Sequence, residues 1–189
     1  MALVKQAEAG STSAQVEVRL NKNIRLPRDR YTTRVQKRDF GPSKSSGNPM
    51  VTYVWEIAAP NDFILDGKKV VIAGYTFTQY LVTRVLADGE KLSAAESTEK
   101  KHMEFAEFMK KMGGPLLAPL LGGAEWDDEN PPLLDVGTLA DVICNTKETP
   151  ELKADKTPIK NSDGSDMKKM EHFIESFCGK SNVTLNRPF

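Results

Sequence analysis

The stretch "MVTYVWEIA", Met50 to Ala58, limits this chain more than any other. Val51, Tyr53, Trp55 and Ile57 fall on one side of an extended backbone, with Met50, Thr52, Val54 and Glu56 on the other. That is the two-residue period of a strand with one buried face, written in β-branched and aromatic residues. A helix would scatter the same side chains around its circumference. The preceding "GPSKSSGNP" holds two glycines, two prolines and four short polar residues, which is turn chemistry.

Other segments extend the same reading. "QVEVRL" alternates Val16, Val18 and Leu20 with Glu17 and Arg19, and "YTTRVQKRDF" alternates through Tyr31, Thr33, Val35 and Lys37. Between them "NKNIRLPRDR" reads as an irregular basic connection, because Pro27 pushes Leu26 to extended geometry. "NDFILDG" reads as an irregular or hairpin connection with Asp66 and Gly67 as a turn. "KKVVIAGYTFTQYLVT" begins as a strand, with Gly74 marking a bulge or close backbone approach. In that stretch Tyr75, Phe77 and Gln79 share one side, and Thr76, Thr78 and Tyr80 the other. The chain to this point predicts a small, strongly bent antiparallel sheet.

Helical character arrives in "TEKKHMEFAEFMKKM", where Phe105, Phe108, Met109 and Met112 recur at three-and-four spacing over 98–112. Gly113 and Gly114 stop that helix. "VGTLADVICNTKET" returns to strand character, Lys156 to Lys169 is loop-like, and "MKKMEHFIESF" fits either a last strand or a short helix. With 189 residues the chain is sized for one core. We expect a single domain over 15–178, between a flexible arm at 1–14 and a tail at 179–189, with an acidic loop near 124–135.

Formal charge is zero, but it is unevenly laid out. Nine basic residues lie between Arg19 and Lys44, against Asp29 and Asp39, whereas Glu125 to Asp141 holds six acidic residues and no basic one. A neutral total therefore hides a one-sided field of the kind that steers a polyanion. Cys144 and Cys178, with His102 and His172, form neither a disulfide framework nor a zinc pattern. The N-terminal "MALVKQAEAGSTSAQ" lacks the apolar core of a signal peptide, and no stretch approaches 18 apolar residues, so a cytoplasmic protein without a membrane segment is expected.

The order of "LPRDRYTTRV" (Leu26 to Val35), "KSSGNPMVTYVWEI" (Lys44 to Ile57), "FAEFMKKMGG" (Phe105 to Gly114) and "VGTLADVI" (Val136 to Ile143) resembles bacteriophage single-stranded-DNA-binding proteins with an OB-like core. The likeness spans roughly 15–175. It implies a mainly β fold, a five-stranded OB-like barrel with a packed helix and long loops, and non-enzymatic, largely sequence-independent binding of single-stranded DNA in phage replication or recombination. Replication or recombination proteins and further copies of the chain would be partners. Proteins of that class often end in an acidic tail, whereas this chain ends "SNVTLNRPF", and its acidic run is internal.

The chemistry of single-stranded DNA asks for cations along its phosphates and aromatic plates against its bases. Arg19, Lys22, Arg25, Arg28, Arg30, Arg34, Lys37, Arg38 and Lys44 are the candidate cations; strand alternation puts Arg34, Gln36 and Arg38 on one face, opposite Val35 and Lys37. Tyr53, Tyr75 and Phe77 are the foremost candidate rings, beside Tyr31, Phe40, Trp55 and Tyr80. Core packing competes with a contact role at each ring, most of all at Trp55 and Tyr53, because aromatic area is normally spent inside. A solvated face is the competing reading of the arginines. Within the acidic run, "EWDDEN" offers a competitor for the basic groove, with Trp126 imitating a base, or simply a solubilising loop.

No catalytic, metal-binding or cofactor-binding set emerges: Asp127, Asp128 and Glu129 are consecutive in a proline-bounded loop, and Cys144 has no base nearby in sequence. The alternative function is a phage structural or assembly protein, using apolar "PLLAPLLGG" (Pro115 to Gly123) as a protein interface.

Overall fold

Alternation becomes pairing along β3 (Pro49–Ala59), whose residues Val51, Tyr53, Trp55 and Ile57 are all buried. The computed structural model describes residues 16–83, 105, 107–112, 131 and 133–182. On either side of β3 lie β2 (Asp29–Pro42) and β6 (Thr76–Val82), both antiparallel to it. Beyond β2 come β7 (Leu139–Pro150) and then β8 (Lys168–Lys180), so the sheet runs β6-β3-β2-β7-β8. The segment that fitted strand or helix is thus a strand, and it ends at Lys180.

A second sheet was not anticipated. β1 (Glu17–Arg19) pairs with β5 (Lys68–Val71) in parallel, and β5 pairs with β4 (Asp62–Leu65) in a hairpin. Asp66 and Gly67 turn that hairpin at φ 48° and 73°, the two left-handed positions an Asp-Gly turn supplies. The parallel contact is made possible by the long excursion through β2, β3 and β4 between its two strands. Val18 sits opposite Val70, and Glu17 beside Lys69 forms an ion pair of 2.7 Å.

The expected single barrel is therefore corrected to a mainly β molecule of two sheets with one short helical stretch among the described residues. β6 and β8 share no ladder, so the five-stranded sheet is not closed by backbone hydrogen bonds. Side chains span the gap instead. Phe177 of β8 meets Trp55 of β3 at 5.1 Å between ring centroids, and His172 of β8 bonds the Tyr75 hydroxyl at 2.9 Å, just before β6.

Helical residues 105 and 107–111 (α1) lie within the predicted helix, the remainder of which is outside the described residues. Phe105, Phe108, Met109 and Met112 are buried, as their spacing predicts. Phe108 packs edge-on against Phe177 at 5.0 Å and at a tilt against Tyr53 at 5.9 Å, which seats α1 over the same aromatic cluster. At Gly179, with φ at 142°, an added Cβ would stand 3.2 Å from the Lys111 carbonyl oxygen, so the absence of a side chain lets the α1 backbone approach β8. The loop expected over Lys156 to Lys169 carries two isolated bridges, Leu152 with Pro158 and Lys160 with Asp166, before β8 begins at Lys168.

Among the described residues no helix is long and apolar enough to cross a membrane. The arm at 1–14, His102, the apolar stretch from Pro115 to Gly123 and residues 124–130 of the acidic loop lie outside the described residues.

The two faces of the larger sheet should respond oppositely to truncation. Trp55→Ala removes a fully buried ring and should cost about 3–5 kcal/mol in urea unfolding, whereas Tyr80→Ala on the other face should stay within about 0.5 kcal/mol. Equal costs at the two positions would contradict this assignment of faces.

Candidate nucleic-acid interface

Cations of the basic segment can hold phosphate only where carboxylates do not already hold them. Arg28 donates from Nε and Nη2 to both Glu175 oxygens at 2.8 Å each, and Arg30 donates to Asp141 at 2.7 Å. Lys22 pairs with Glu151, and Arg25 stands 3.9 Å from Glu148. Arg34 donates to Glu56 at 2.6 Å, and Arg38 to Asp135 at 3.2 Å and to the Leu134 carbonyl at 2.9 Å. Of the cations expected to line a groove, Lys22, Arg25, Arg28, Arg30, Arg34 and Arg38 each stand beside a carboxylate from another part of the chain. Arg19, Lys37 and Lys44 make no ion pair among the described residues.

These pairs have a common origin in the sheet. The connection from Leu20 to Arg28 runs alongside β7 and β8, held by the reciprocal bonds between Leu26 and the Thr146 hydroxyl at 3.1 and 2.8 Å and by Met170 N–H to the Lys22 carbonyl at 2.6 Å. With Leu20 and Leu26 buried beneath it, that connection presents Lys22, Arg25 and Arg28 to the acids at Glu148, Glu151 and Glu175. Each exposed pair adds at most about 1 kcal/mol.

The predicted shared face of Arg34 and Arg38 is overturned by a β-bulge. Val35 lies opposite Trp55, but Lys37 lies opposite Val54, so Gln36 is an extra residue on β2. The bulge reverses parity. Beyond it Arg38 and Phe40 take the side of Tyr53 and Val51, while Lys37 and Asp39 join Arg34 on the outward side.

Most of the predicted rings are interior. Tyr53 is 0 % exposed and its hydroxyl accepts a hydrogen bond from the Leu134 amide at 3.0 Å. Phe77 is buried, as are Trp55, whose indole N–H donates to Gln79 at 2.8 Å, and Tyr31, whose hydroxyl donates to the Pro27 carbonyl at 2.9 Å. Tyr53 and Phe77 are therefore corrected from stacking plates to core residues. Tyr75 is half-buried with its hydroxyl on His172 Nδ1 and its ring edge-on to Phe77 at 5.3 Å, and Phe40 packs at the margin of the core.

What the sheet does bring together is the outward lattice of β2, β3 and β6. In register across the three strands run Arg34, Glu56 and Thr76; then Lys37, Val54 and Thr78; then Asp39, Thr52 and Tyr80. Met50 and Val82 follow beside the turn that carries Lys44. Tyr80 is 64 % exposed, the ring most open to solvent among the described aromatics. Sequence alternation already separated Tyr80 from Phe77. The missed step was that the apolar partners of Phe77 claim that side for the core, which turns Tyr80 outward.

Outside this lattice, Cys144 and His172 are tied up in the fold. Cys144 is buried, and burial pushes its thiol up to about 12, so it is a protonated core side chain at neutral pH. His172 faces Tyr75 and the Ile24 carbonyl, at 2.9 and 2.8 Å, and the exposed thiol is Cys178. No group of three or more His, Cys, Asp or Glu among the described residues is placed to hold a metal ion. No family model matches the chain, and no curated protein or solved structure matches it either.

Asp141 makes the ion-pair system pH-sensitive. Burial opposes its charge, but hydrogen bonds from Ser181, Arg30 and Thr32 outweigh burial and hold its carboxyl below the usual range. A folded-state carboxyl of lowered pKa contributes stability that is present above the unfolded carboxylate range and lost as pH falls through the folded value. Asp141→Asn should lower the melting temperature at about pH 7 and make the acid-side decline less steep below about pH 4. Parallel acid limbs in the two proteins would remove Asp141 from that role.

Proposed function

We propose that the protein binds single-stranded DNA without catalysis, on the outward face of β2, β3 and β6. The larger sheet serves as an open, OB-like barrel. Its order supports that reading: three antiparallel strands β2, β3 and β6, with the β4–β5 hairpin inserted before the last, then a helical segment, then β7 and β8, of which β7 returns to β2. In OB-type domains oligonucleotides lie across the second and third strands and the loop joining the first two. Those elements are β3, β6 and residues 43–48 here.

The observation that carries the proposal is Tyr80. A tyrosine 64 % exposed in the middle of a strand, with Met50, Val54 and Val82 half-buried on the same face, supplies a base with an apolar platform. Lys37 on that face and Lys44 on the adjoining turn are cations with no carboxylate to displace among the described residues. Affinity then comes from few phosphate contacts and one principal stack. In phage replication or recombination such a protein would cover unpaired strands.

A second reading, assembly through protein contacts, rests on the hairpin end of β4, where Ile64 is 57 % and Leu65 38 % exposed. A defined oligomer formed without DNA and lost in Ile64→Lys would favour it.

Titration of labelled oligo-dT and matched duplex across salt concentrations tests the leading reading. Oligo-dT should bind more tightly, and Tyr80→Ala should weaken it by about 1–3 kcal/mol. Lys37→Ala combined with Lys44→Ala should reduce the log–log salt slope by about 1.4, near 0.7 for each phosphate contact. Arg28→Ala with Arg30→Ala should leave that slope unchanged. Wild-type affinity in Tyr80→Ala would refute the proposed face.

A further inference from the structure

On the outward lattice Asp39 shares a cross-strand row with Tyr80, and Thr52 stands between them. Adjacent strands are about 4.8 Å apart, so the two backbones are separated by roughly 10 Å with only a short side chain intervening. Asp39 is exposed and makes no hydrogen bond or ion pair among the described residues. A carboxylate in the path of a polyanion is unfavourable unless it contacts something other than phosphate. A base lying on the Tyr80 ring would extend over Thr52 and present its hydrogen-bonding edge to that carboxylate.

Resting on the single-strand reading above, we infer that Asp39 makes this face selective for guanine at the Tyr80 position. An ionised carboxylate only accepts hydrogen bonds, at two oxygens side by side. Guanine is the base whose Watson–Crick edge offers two neighbouring donors, N1–H and the 2-amino group. Adenine and cytosine each offer one donor beside an acceptor, and thymine flanks its single donor with two acceptors, which meet the carboxylate lone pair to lone pair. Lys37, two residues away on the same face, offsets the negative charge of Asp39 and leaves the phosphate path locally neutral. Parity set by the Gln36 bulge is what brings Lys37, Asp39 and Tyr80 to one surface.

The test compares a labelled oligo-dT with the same oligonucleotide carrying 7-deazaguanine at alternate positions, a base that keeps the Watson–Crick edge and prevents quadruplexes. Wild-type protein should prefer the guanine-bearing strand by about tenfold, within the range of one bidentate side-chain contact to a base. Asp39→Ala should bind both strands equally, with oligo-dT affinity unchanged or higher. Asp39→Asn, a donor beside an acceptor, should shift preference from guanine towards adenine or cytosine. Equal wild-type affinity for the two strands, with oligo-dT still bound, would overturn the inference and leave the single-strand reading standing. A guanine preference that survives Asp39→Ala would overturn the role of Asp39. Failure to bind either strand would overturn both readings. Circular dichroism melts of the exposed-site variants exclude misfolding as the source of any loss.

Discussion

The contact between Trp55 and Phe177 does what the backbone leaves undone. β6 and β8 are the two margins of a five-stranded sheet, and they share no ladder. Rings from β3 and β8 nevertheless meet at 5.1 Å, with Phe108 of α1 edge-on to Phe177 and Trp55. The sheet must curl for that to happen, and its curl decides which residues face inward. Hydrophobic burial is non-directional, but a curled sheet converts it into two distinct surfaces. The surface on which Tyr80 stands exists because Tyr53, Trp55 and Phe77 have been drawn to the other.

Electrostatics follows from the same packing. The connection between β1 and β2 buries Leu20 and Leu26, and this fixes its cations alongside the acids of β7 and β8. Local charge density along a sequence says nothing of the partner that folding will supply from more than a hundred residues away. Arg28 and Glu175 are separated by 147 positions, Arg30 and Asp141 by 111. Phosphate arriving at those arginines competes with a carboxylate already hydrogen-bonded to them. At Lys37 and Lys44 it competes with water.

Alternation made the strands legible, and the helical stripe from Phe105 to Met112 likewise, because period is a local property. The Asp-Gly hairpin at Asp66 and the break at Gly74, where φ is 82°, were legible for the same reason. Hidden from a one-dimensional reading were the parallel contact of β1 with β5, the long-range ion pairs and the Gln36 bulge. The bulge mattered most for the interface, since a single extra residue moved Arg38 to the side of Tyr53 and brought Lys37 and Asp39 outward. Tyr53 and Phe77, expected to serve as plates for bases, are interior because the apolar neighbours that folding gathers around them, which no local period reports, claim both for the core.

The Gly179 approach has a mechanical consequence. With the Lys111 carbonyl 3.2 Å from where a Cβ would be, α1 and the end of β8 touch backbone to backbone, with no side chain to act as a cushion. A side chain introduced at position 179 would therefore push directly on the α1 backbone. β8 in turn bears Phe177 and His172, which reach Trp55 on β3 and Tyr75 just before β6. A wedge driven between α1 and β8 would thus bear on the ring cluster of Phe108, Phe177 and Trp55 that holds the sheet in its curl.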